Sequence, residues 1–250
     1  AALALFHALF AWCYVRLVRP LPGGMLMGFP ALWVLFEWLR DWLFTGFPWL
    51  YLGYAHVDTW ISGWAPITGV FGLSFICALS GTCLFLAWRS RKLIACTTYA
   101  VILVTLWGGG AVLKPTQWVA KASEVPLTVA LFQPNVPQEH KWDPQWYRPI
   151  LRQLREATDP LLGYDIVIWP ESAIPFFVEG DGRALAVLAG ALPPGGVLLS
   201  GAPRRTPDDQ PLMVWNSLLA IDDRATVLAG YDKRHLVPFG EYLPLRPLLS

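Results

Sequence analysis

Three charged side chains, Glu171, Lys233 and Glu241, follow apolar runs and are of the right types for acid–base chemistry. Glu171 lies in Trp-Pro-Glu-Ser, directly after an apolar run that ends at Trp169, and the other two lie in the segment Tyr231–Tyr242. A positioned carboxylate can accept a proton, and an ammonium can stabilise an oxyanion. This set suits acyl transfer through a cysteine thioester. Because no cysteine follows it in the sequence, we expect the nucleophile to lie outside these 250 residues.

Each of these residues also has a simpler interpretation. Glu171 is expected to leave a buried strand at a sheet edge, where desolvation behind Trp169 favours a general base, but a capping or salt-bridge role also fits it. Lys233 taken alone fits a solvated surface lysine. His235 could be the base of a Ser or Cys triad, but Ser172 lacks the Gly-x-Ser-x-Gly elbow.

The four cysteines, Cys13, Cys77, Cys83 and Cys96, all lie in apolar segments, and we interpret them as small buried hydrophobic residues. They lack metal-ligand spacing and the histidines are scattered singly, so the sequence predicts no metal and no cofactor. The net charge of +1, without a basic cluster that has interleaved aromatics, argues against a nucleic-acid partner.

Charged side chains are rare up to Leu113 and of ordinary density beyond it, which predicts a membrane part followed by a water-facing part. We place transmembrane helices over 1–118 and a partial outer domain over 119–250. A span needs about 20 apolar residues. The candidate spans are Ala1–Val18, Met25–Phe44, Ile67–Trp88 and Leu93–Leu113. The chain begins inside the first of them, which we interpret as truncation rather than as a signal peptide.

The basic residues predict the orientation of these spans. Arg16 and Arg19 follow the first segment, and three basic residues fill the loop between the third and fourth, whereas the loop 45–66 has no Lys or Arg. By the positive-inside rule, this loop and everything after Lys114 lie outside the cytoplasm.

Two features of the membrane part leave alternatives open. The aromatic loop 45–66 fits an aromatic belt at the headgroup level, or a re-entrant arm that shapes a lipid entrance. Glu37 and Arg40, three residues apart in the second segment, fit a structural ion pair on one helix face, or the lining of a substrate path.

Beyond Pro126 the pattern alternates between apolar strands and helices, which predicts an α/β layered domain. Turn residues such as those at 193–196 separate the elements. The expected strands are Leu127–Phe132, Asp165–Trp169, Gly196–Gly201, Met213–Ile221 and Thr226–Ala229, and the expected helices are Trp146–Ala157 and Gly182–Leu192.

Several motifs along nearly the whole chain carry a family resemblance. They are Glu37-Trp-Leu-Arg40, Thr45-Gly-Phe-Pro-Trp-Leu50, Lys141-Trp-Asp143, Ile168-Trp-Pro-Glu-Ser-Ala173, Asn216-Ser217 and His235-Leu-Val-Pro-Phe-Gly-Glu241. With these motifs the chain resembles the nitrilase (carbon–nitrogen hydrolase) superfamily and, within it, the apolipoprotein N-acyltransferase family of bacterial envelopes. Judged by this resemblance, the chain is truncated at both ends.

The resemblance implies a membrane α-helical bundle plus an α/β domain, a nitrilase-like α-β-β-α sandwich that is incomplete at its C-terminal side. It implies Glu171 as the general base, Lys233 as the group that stabilises the oxyanion and Glu241 as a supporting acid. The implied substrate-binding residues are Trp142, Phe239 and Gly240.

The implied reaction is a two-step acyl transfer at the periplasmic side of the bacterial inner membrane. A phospholipid such as phosphatidylethanolamine acylates the cysteine, and the α-amine of the diacylglyceryl-cysteine of an apolipoprotein then takes the acyl chain. Two alternatives stay open: a membrane-tethered nitrilase-type amidase, and a non-catalytic lipid-binding fragment or pseudoenzyme. Without its nucleophile, the fragment itself is expected to be inactive.

Overall fold

The computed structural model describes residues 2–43, 46–123, 125–161, 163–180, 185–186, 192, 194–207, 210–237 and 240–242. The chain divides into two compact units. The helical unit comprises Ala1–Ala120 together with His235–Ser250, and the sheet unit comprises Lys121–Arg234. A helical N-terminal region followed by a part built on a sheet confirms the broad architecture predicted from the sequence.

The helical unit is built from long apolar helices. Within its described residues these are α1 (Ala2–Cys13), α2 (Phe29–Trp42), α3 (Ala65–Arg89) and α4 (Leu93–Leu113). Wider π-helical turns, Tyr14–Val18 and Gly24–Gly28, follow α1 and precede α2. Gly69 interrupts α3 near its start with φ 65° and ψ −171°, a conformation that glycine adopts without steric cost.

Two helical stretches among the described residues are long and apolar enough to cross a membrane, Trp60–Arg89 and Leu93–Leu113. They contain the third and fourth predicted spans. The apolar helix Ala4–Val18 is shorter than a span, and α2 carries three charged residues near its end. Membrane crossing by the four segments, and their orientation, stay predictions.

The loop between α2 and α3 folds onto α3 and α4 rather than extending away from them. It contains two short 3₁₀ helices, Leu52–His56 and Trp60–Trp64. The Gly53 N–H donates to Ser74 Oγ of α3 at 2.8 Å, and Lys114 Nζ donates to the carbonyl oxygen of Asp58 at 2.9 Å. Its exposed aromatic side chains are Trp49, Tyr54 and Trp60. This ordered, aromatic arm is compatible with both interpretations of the loop.

The sheet unit contains one mixed sheet in its described residues. The strands are β1 (Val129–Leu131), β2 (Ile166–Ile168), β3 (Val197–Arg205), β4 (Val214–Asp222) and β5 (Val227–Asp232), paired in that order. β1, β2 and β3 are parallel, whereas β4 is antiparallel to both β3 and β5. Since β2 and β5 therefore run in the same direction, the residues that follow them emerge at the same edge of the sheet.

Two helices, α5 (Gln138–Lys141) and α6 (Pro144–Thr158), connect β1 to β2. The Asp143 side chain accepts from the Gln145 N–H at 3.1 Å, and Pro144 occupies the first turn, so α6 begins with a capped N-terminus. α6 buries Ile150 and Leu154 in the core of the unit. The predicted helix Trp146–Ala157 lies inside it.

The core of the sheet unit includes a buried polar contact that is internally satisfied. Trp169 is 2% exposed, and its indole N–H donates to Thr158 Oγ1 at 3.1 Å. The Thr158 hydroxyl donates in turn to the Leu154 carbonyl oxygen at 2.7 Å. Because buried polar groups are costly without partners, this chain of bonds fixes α6 against the end of β2.

Two strands extend three or more residues beyond their predicted ends. β3 continues to Arg205 instead of ending at Gly201, because β4 pairs along its whole length. β5 continues to Asp232 instead of ending at Ala229, again because pairing with β4 continues. Most of the predicted helix Gly182–Leu192 lies outside the described residues.

Candidate functional site

Glu171 lies beyond the carboxyl end of β2, in a turn that is held against β3. The Gly201 N–H of β3 donates to the Pro170 carbonyl oxygen at 3.2 Å, and the Gly201 carbonyl accepts from the Ile174 N–H at 3.1 Å. Ser172 adopts a left-handed conformation with φ 50°. Hydrogen bonds on both sides of Glu171 therefore fix its backbone on the strand.

The turn approaches β3 so closely that residue 201 has no room for a side chain. A Cβ atom on Gly201 would lie 2.4 Å from Ser172 N and 2.6 Å from Glu171 Cα, and both are backbone atoms. From the sequence alone, Gly201 is predicted only as the end of a strand. An isolated glycine inside a strand is the signal that marks such a close backbone approach.

The Glu171 carboxylate contacts two donors, one from β4 and one from the residue that follows β5. Lys233 Nζ lies 3.4 Å from Glu171 Oε1, and Asn216 Nδ2 of β4 donates to the same oxygen. The Lys233 N–H donates to the Asn216 carbonyl oxygen at 2.9 Å. Asn216 thus contacts both residues, and this role was not predicted from the sequence. The available signal was an asparagine in the middle of a strand, where this residue type is unfavourable.

A second lysine contacts the backbone of the same turn. Lys141 Nζ, at the end of α5, donates to the Glu171 carbonyl oxygen at 3.1 Å. Lys141 therefore contributes to the position of Glu171 without touching its carboxylate.

The pair of Glu171 and Lys233 is accessible to solvent. The Glu171 side chain is 63% exposed and that of Lys233 is 30% exposed. Among the described residues, the Glu171 side chain therefore lacks the burial that desolvation behind Trp169 would require. Exposed ion pairs contribute about 0–1 kcal/mol, so stability does not account for this arrangement.

Two clefts of the sheet unit share Glu171. One, of about 180 Å³, includes Gln133, Asn135, Lys141 and Ser172 in its lining. The other, of about 270 Å³, is lined by Glu171, Gly201, Asn216, Ser217, Leu218, Tyr231 and Lys233. A substrate group in the second cleft would contact the carboxylate and the ammonium together.

A polar network holds the end of β5, from which Lys233 emerges. Asp232 Oδ1 accepts from Ser217 Oγ at 2.6 Å and from Arg204 Nη1 at 3.2 Å. Arg204 Nε also pairs with Glu179 Oε1 at 3.0 Å. These bonds join β3, β4 and β5 next to the site and limit movement of the Lys233 backbone.

The remaining predicted site residues belong to other segments of the chain or are not described. Glu241 and Gly240 are grouped with the helical unit, where the Val237 N–H donates to Glu241 Oε2 at 2.7 Å. Trp142 follows α5 and is 50% exposed. Phe239 lies outside the described residues. The supporting and substrate-binding roles of these four residues stay predictions.

Within the part of the chain that the structure describes, no group of three or more His, Cys, Asp or Glu side chains could hold a metal ion. The described thiols all lie in α1, α3 and α4. A carboxylate and an ammonium lie in contact at one edge of a mixed sheet, with an amide donor beside them. These are groups of the types that can transfer protons and stabilise oxyanions.

Comparison with known proteins shows what the chain is similar to. Residues 1–83 match the family described as the apolipoprotein N-acyltransferase N-terminal domain. The whole chain is similar to curated apolipoprotein N-acyltransferases: it is 38% identical over 261 residues to that of Methylococcus capsulatus, 36% over 253 residues to that of Pseudomonas syringae and 37% over 257 residues to that of Chromobacterium violaceum. These matches confirm the family resemblance that the sequence motifs indicated.

The alignments cover 100% of this chain but 49%, 49% and 48% of the three relatives. The chain therefore spans about half the length of the curated relatives it matches.

Proposed function

We propose that the chain forms part of an acyltransferase that N-acylates bacterial apolipoproteins. The observation that carries the proposal is the 3.4 Å contact between Glu171 Oε1 and Lys233 Nζ, in a chain that is similar along its whole length to apolipoprotein N-acyltransferases. Glu171 is the general base and Lys233 stabilises the oxyanion, with Glu241 as a supporting acid. The nucleophile is a cysteine thiol in the half of the relatives' length that this chain does not span.

In the first step, Glu171 takes the proton of the thiol, and the thiolate attacks the sn-1 ester carbonyl of a phospholipid such as phosphatidylethanolamine. Lys233 stabilises the resulting oxyanion, a contribution typically of about 3–4 kcal/mol for one well-placed donor. The ester C–O bond then breaks. The lysophospholipid leaves with the proton held by Glu171, and a thioester remains.

In the second step, the α-amine of a diacylglyceryl-cysteine attacks the thioester carbonyl. Glu171 takes the amine proton, the C–S bond breaks and an amide forms, which gives ping-pong kinetics. Trp142, Phe239 and Gly240 bind the substrates. No metal or cofactor takes part in either step.

We also propose a location and a fold for the two units of the chain. The helical unit lies in the bacterial inner membrane with four spans, and the sheet unit is the periplasmic part of a nitrilase-like α-β-β-α sandwich. Two helices with the length and apolar composition of spans support this placement. The aromatic loop 45–66, which has no Lys or Arg, supports a lipid substrate, since a simple membrane tether does not need an aromatic arm.

The test uses the full-length protein, a radiolabelled phospholipid and a diacylglyceryl-cysteine peptide. Glu171→Gln and Lys233→Ala are each expected to lower acyl-enzyme formation by at least about a hundredfold. Glu156→Gln is the matched control, because it makes the same change at an exposed glutamate on α6 of the same unit. Normal acyl-enzyme formation in Glu171→Gln would remove its role as the base.

The same assay separates the alternatives. Hydrolysis of small amides without peptide N-acylation would identify a membrane-tethered amidase. Lipid binding without any acyl-enzyme in the wild-type protein would identify a non-catalytic lipid-binding protein.

A further inference from the structure

The smaller of the two clefts that share Glu171 is lined by the segments that follow β1 and β2. It is called the β1–β2 cleft below, and its volume is about 180 Å³. Besides Glu171, its polar lining residues are Gln133, Asn135, Lys141 and Ser172. Because β1 and β2 are parallel neighbours, the cleft lies beyond their carboxyl ends, where open α/β sheets bind their ligands.

Both walls of the β1–β2 cleft are held by hydrogen bonds from the helices that connect β1 to β2. Gln153 Nε2 of α6 donates to the Pro134 carbonyl oxygen at 3.1 Å on one wall. Lys141 Nζ of α5 donates to the Glu171 carbonyl oxygen at 3.1 Å on the other. The protein's own contacts therefore fix the cleft, which lowers the entropy cost of binding a ligand there.

The polar side chains of the cleft are available to a ligand. Gln133, Asn135 and Ser172 make no side-chain hydrogen bond to any residue that the structure describes. Asn135 and Ser172 also have left-handed backbones, with φ 51° and φ 50°. Such conformations are uncommon for residues other than glycine, and they cluster at sites that bind ligands. The Lys141 ammonium has three donors, of which the Glu171 carbonyl takes one.

The charges in the β1–β2 cleft favour a neutral polar ligand over an anion. The Glu171 carboxylate and the Lys141 ammonium cancel in net charge, and an anionic ligand would lie beside the carboxylate and be repelled by it. The amide side chains each offer donors and an acceptor, which matches the alternating N–H and C=O groups of a peptide backbone. Three prolines of the lining, Pro134, Pro170 and Pro175, add apolar surface beside these groups.

The position of the cleft next to Glu171 indicates which peptide would bind there. In the second step of the proposed function, Glu171 takes the proton of the acceptor α-amine, so this amine lies beside the carboxylate. Consecutive Cα atoms are about 3.8 Å apart, so the residues that follow the cysteine start close to Glu171. The cleft that contains Lys233 holds the acyl carbonyl. The β1–β2 cleft is the other cleft that Glu171 lines, and it can take the peptide.

On the basis of the proposed function, we propose that the β1–β2 cleft binds the backbone of the residues that follow the diacylglyceryl-cysteine of the acceptor. The amides of Gln133 and Asn135 pair with its N–H and C=O groups, and the Lys141 ammonium donates to a carbonyl oxygen. Because the contacts are made to backbone groups, one cleft accepts acceptor peptides of different sequence.

Acceptors of different length test this site on the wild-type, full-length protein. The protein is first converted to acyl-enzyme with a labelled phospholipid, and the second step is then timed. One acceptor is a diacylglyceryl-cysteine amide, and the other carries four further residues. The longer acceptor should react at least about tenfold faster below saturation, a ratio that one or two hydrogen bonds support. Equal rates for the two acceptors would overturn the proposal.

An N-methylated acceptor separates backbone recognition from recognition of side chains. Methylation of the backbone nitrogens after the cysteine keeps every side chain and removes the N–H donors. The rate of this acceptor should therefore fall towards that of the cysteine amide. A rate equal to that of the unmodified long acceptor contradicts binding through the backbone.

One variant removes a single group from the cleft. Asn135→Gly deletes the amide, and glycine adopts φ 51° without strain. The rate ratio of the long to the short acceptor should fall about three- to tenfold, as expected for one lost hydrogen bond. Gln210→Gly is the matched control, because it deletes an exposed amide side chain from a turn of the same unit outside the cleft, and it should keep the ratio. An unchanged ratio in Asn135→Gly would refute the site.

The remaining outcomes separate this site from the proposed function. Slower acyl-enzyme formation in Asn135→Gly, with an unchanged acceptor ratio, would assign the cleft to the phospholipid donor and overturn the proposal. A wild-type protein that forms no acyl-enzyme would refute the proposed function and the peptide site together. An acyl-enzyme that reacts equally with both acceptors refutes the peptide site alone.

Discussion

Replacing Gly201 by alanine tests how the Glu171 turn is held. The added Cβ would lie 2.4 Å from Ser172 N and 2.6 Å from Glu171 Cα, so either the strand or the turn must move. Overpacking costs about 1–3 kcal/mol, and contact with backbone atoms places this case at the upper end. The alanine also stabilises the folded state by about 0.4–1 kcal/mol, because it lowers the conformational entropy of the unfolded chain. The net loss is about 2 kcal/mol, or roughly 8 °C in Tm for a domain of about a hundred residues.

Thermal unfolding of the detergent-solubilised protein, followed by tryptophan fluorescence, measures this loss. Gly230→Ala is the control, since a Cβ there would contact only side-chain ends, Leu219 Cδ2 at 3.2 Å and Arg204 Nη1 at 3.6 Å. The control should melt near the wild-type temperature. In the full-length protein, Gly201→Ala should also lower acyl-enzyme formation, because Glu171 is displaced from Lys233. An unchanged Tm in Gly201→Ala would refute the close approach of the turn to β3.

Two further predictions concern the sheet unit. Hydrogen bonds from the Thr128 N–H and hydroxyl hold the pKa of Asp165 below its usual range. A depressed folded-state pKa contributes stability above the unfolded pKa of about 4 that is lost as the pH falls through the folded value. Urea titrations between neutral pH and pH 3 should therefore show a smaller acid-induced loss in Asp165→Asn; an identical loss contradicts this. Trp169→Phe removes the bond to Thr158 Oγ1 and should lower the free energy of unfolding by about 1–3 kcal/mol, whereas an unchanged urea midpoint would show that the bond contributes nothing.

The strands of the sheet unit could be predicted because each is an apolar run bounded by turn residues. β1, β2 and β4 lie within one or two residues of their predicted ends. β3 and β5 extend further than predicted, since their last residues are polar or small and stay in the sheet only through pairing with β4. Pairing between distant segments is not encoded in local pattern, so the bounds it sets could not be read from the sequence.

The candidate site, too, could be predicted from the sequence only in part. Glu171 and Lys233 could be named because strands that end at one edge of a sheet bring their following residues together. The contacts that position them come from Asn216, Gly201 and Lys141. They depend on which strands lie between β2 and β5, and the sequence does not give that order. The exposure of the Glu171 side chain could not be read from the sequence either.

β5 is an outer strand of the described sheet. Among the described strands β5 pairs on one side only, and Val227, Leu228 and Tyr231 are exposed along it. A strand edge with unpaired backbone groups and apolar side chains recruits strands from other molecules. Overexpression of the isolated chain should therefore give aggregates rich in cross-strand contacts. Leu228→Lys should improve its solubility, because a charge at a strand edge opposes the addition of further strands.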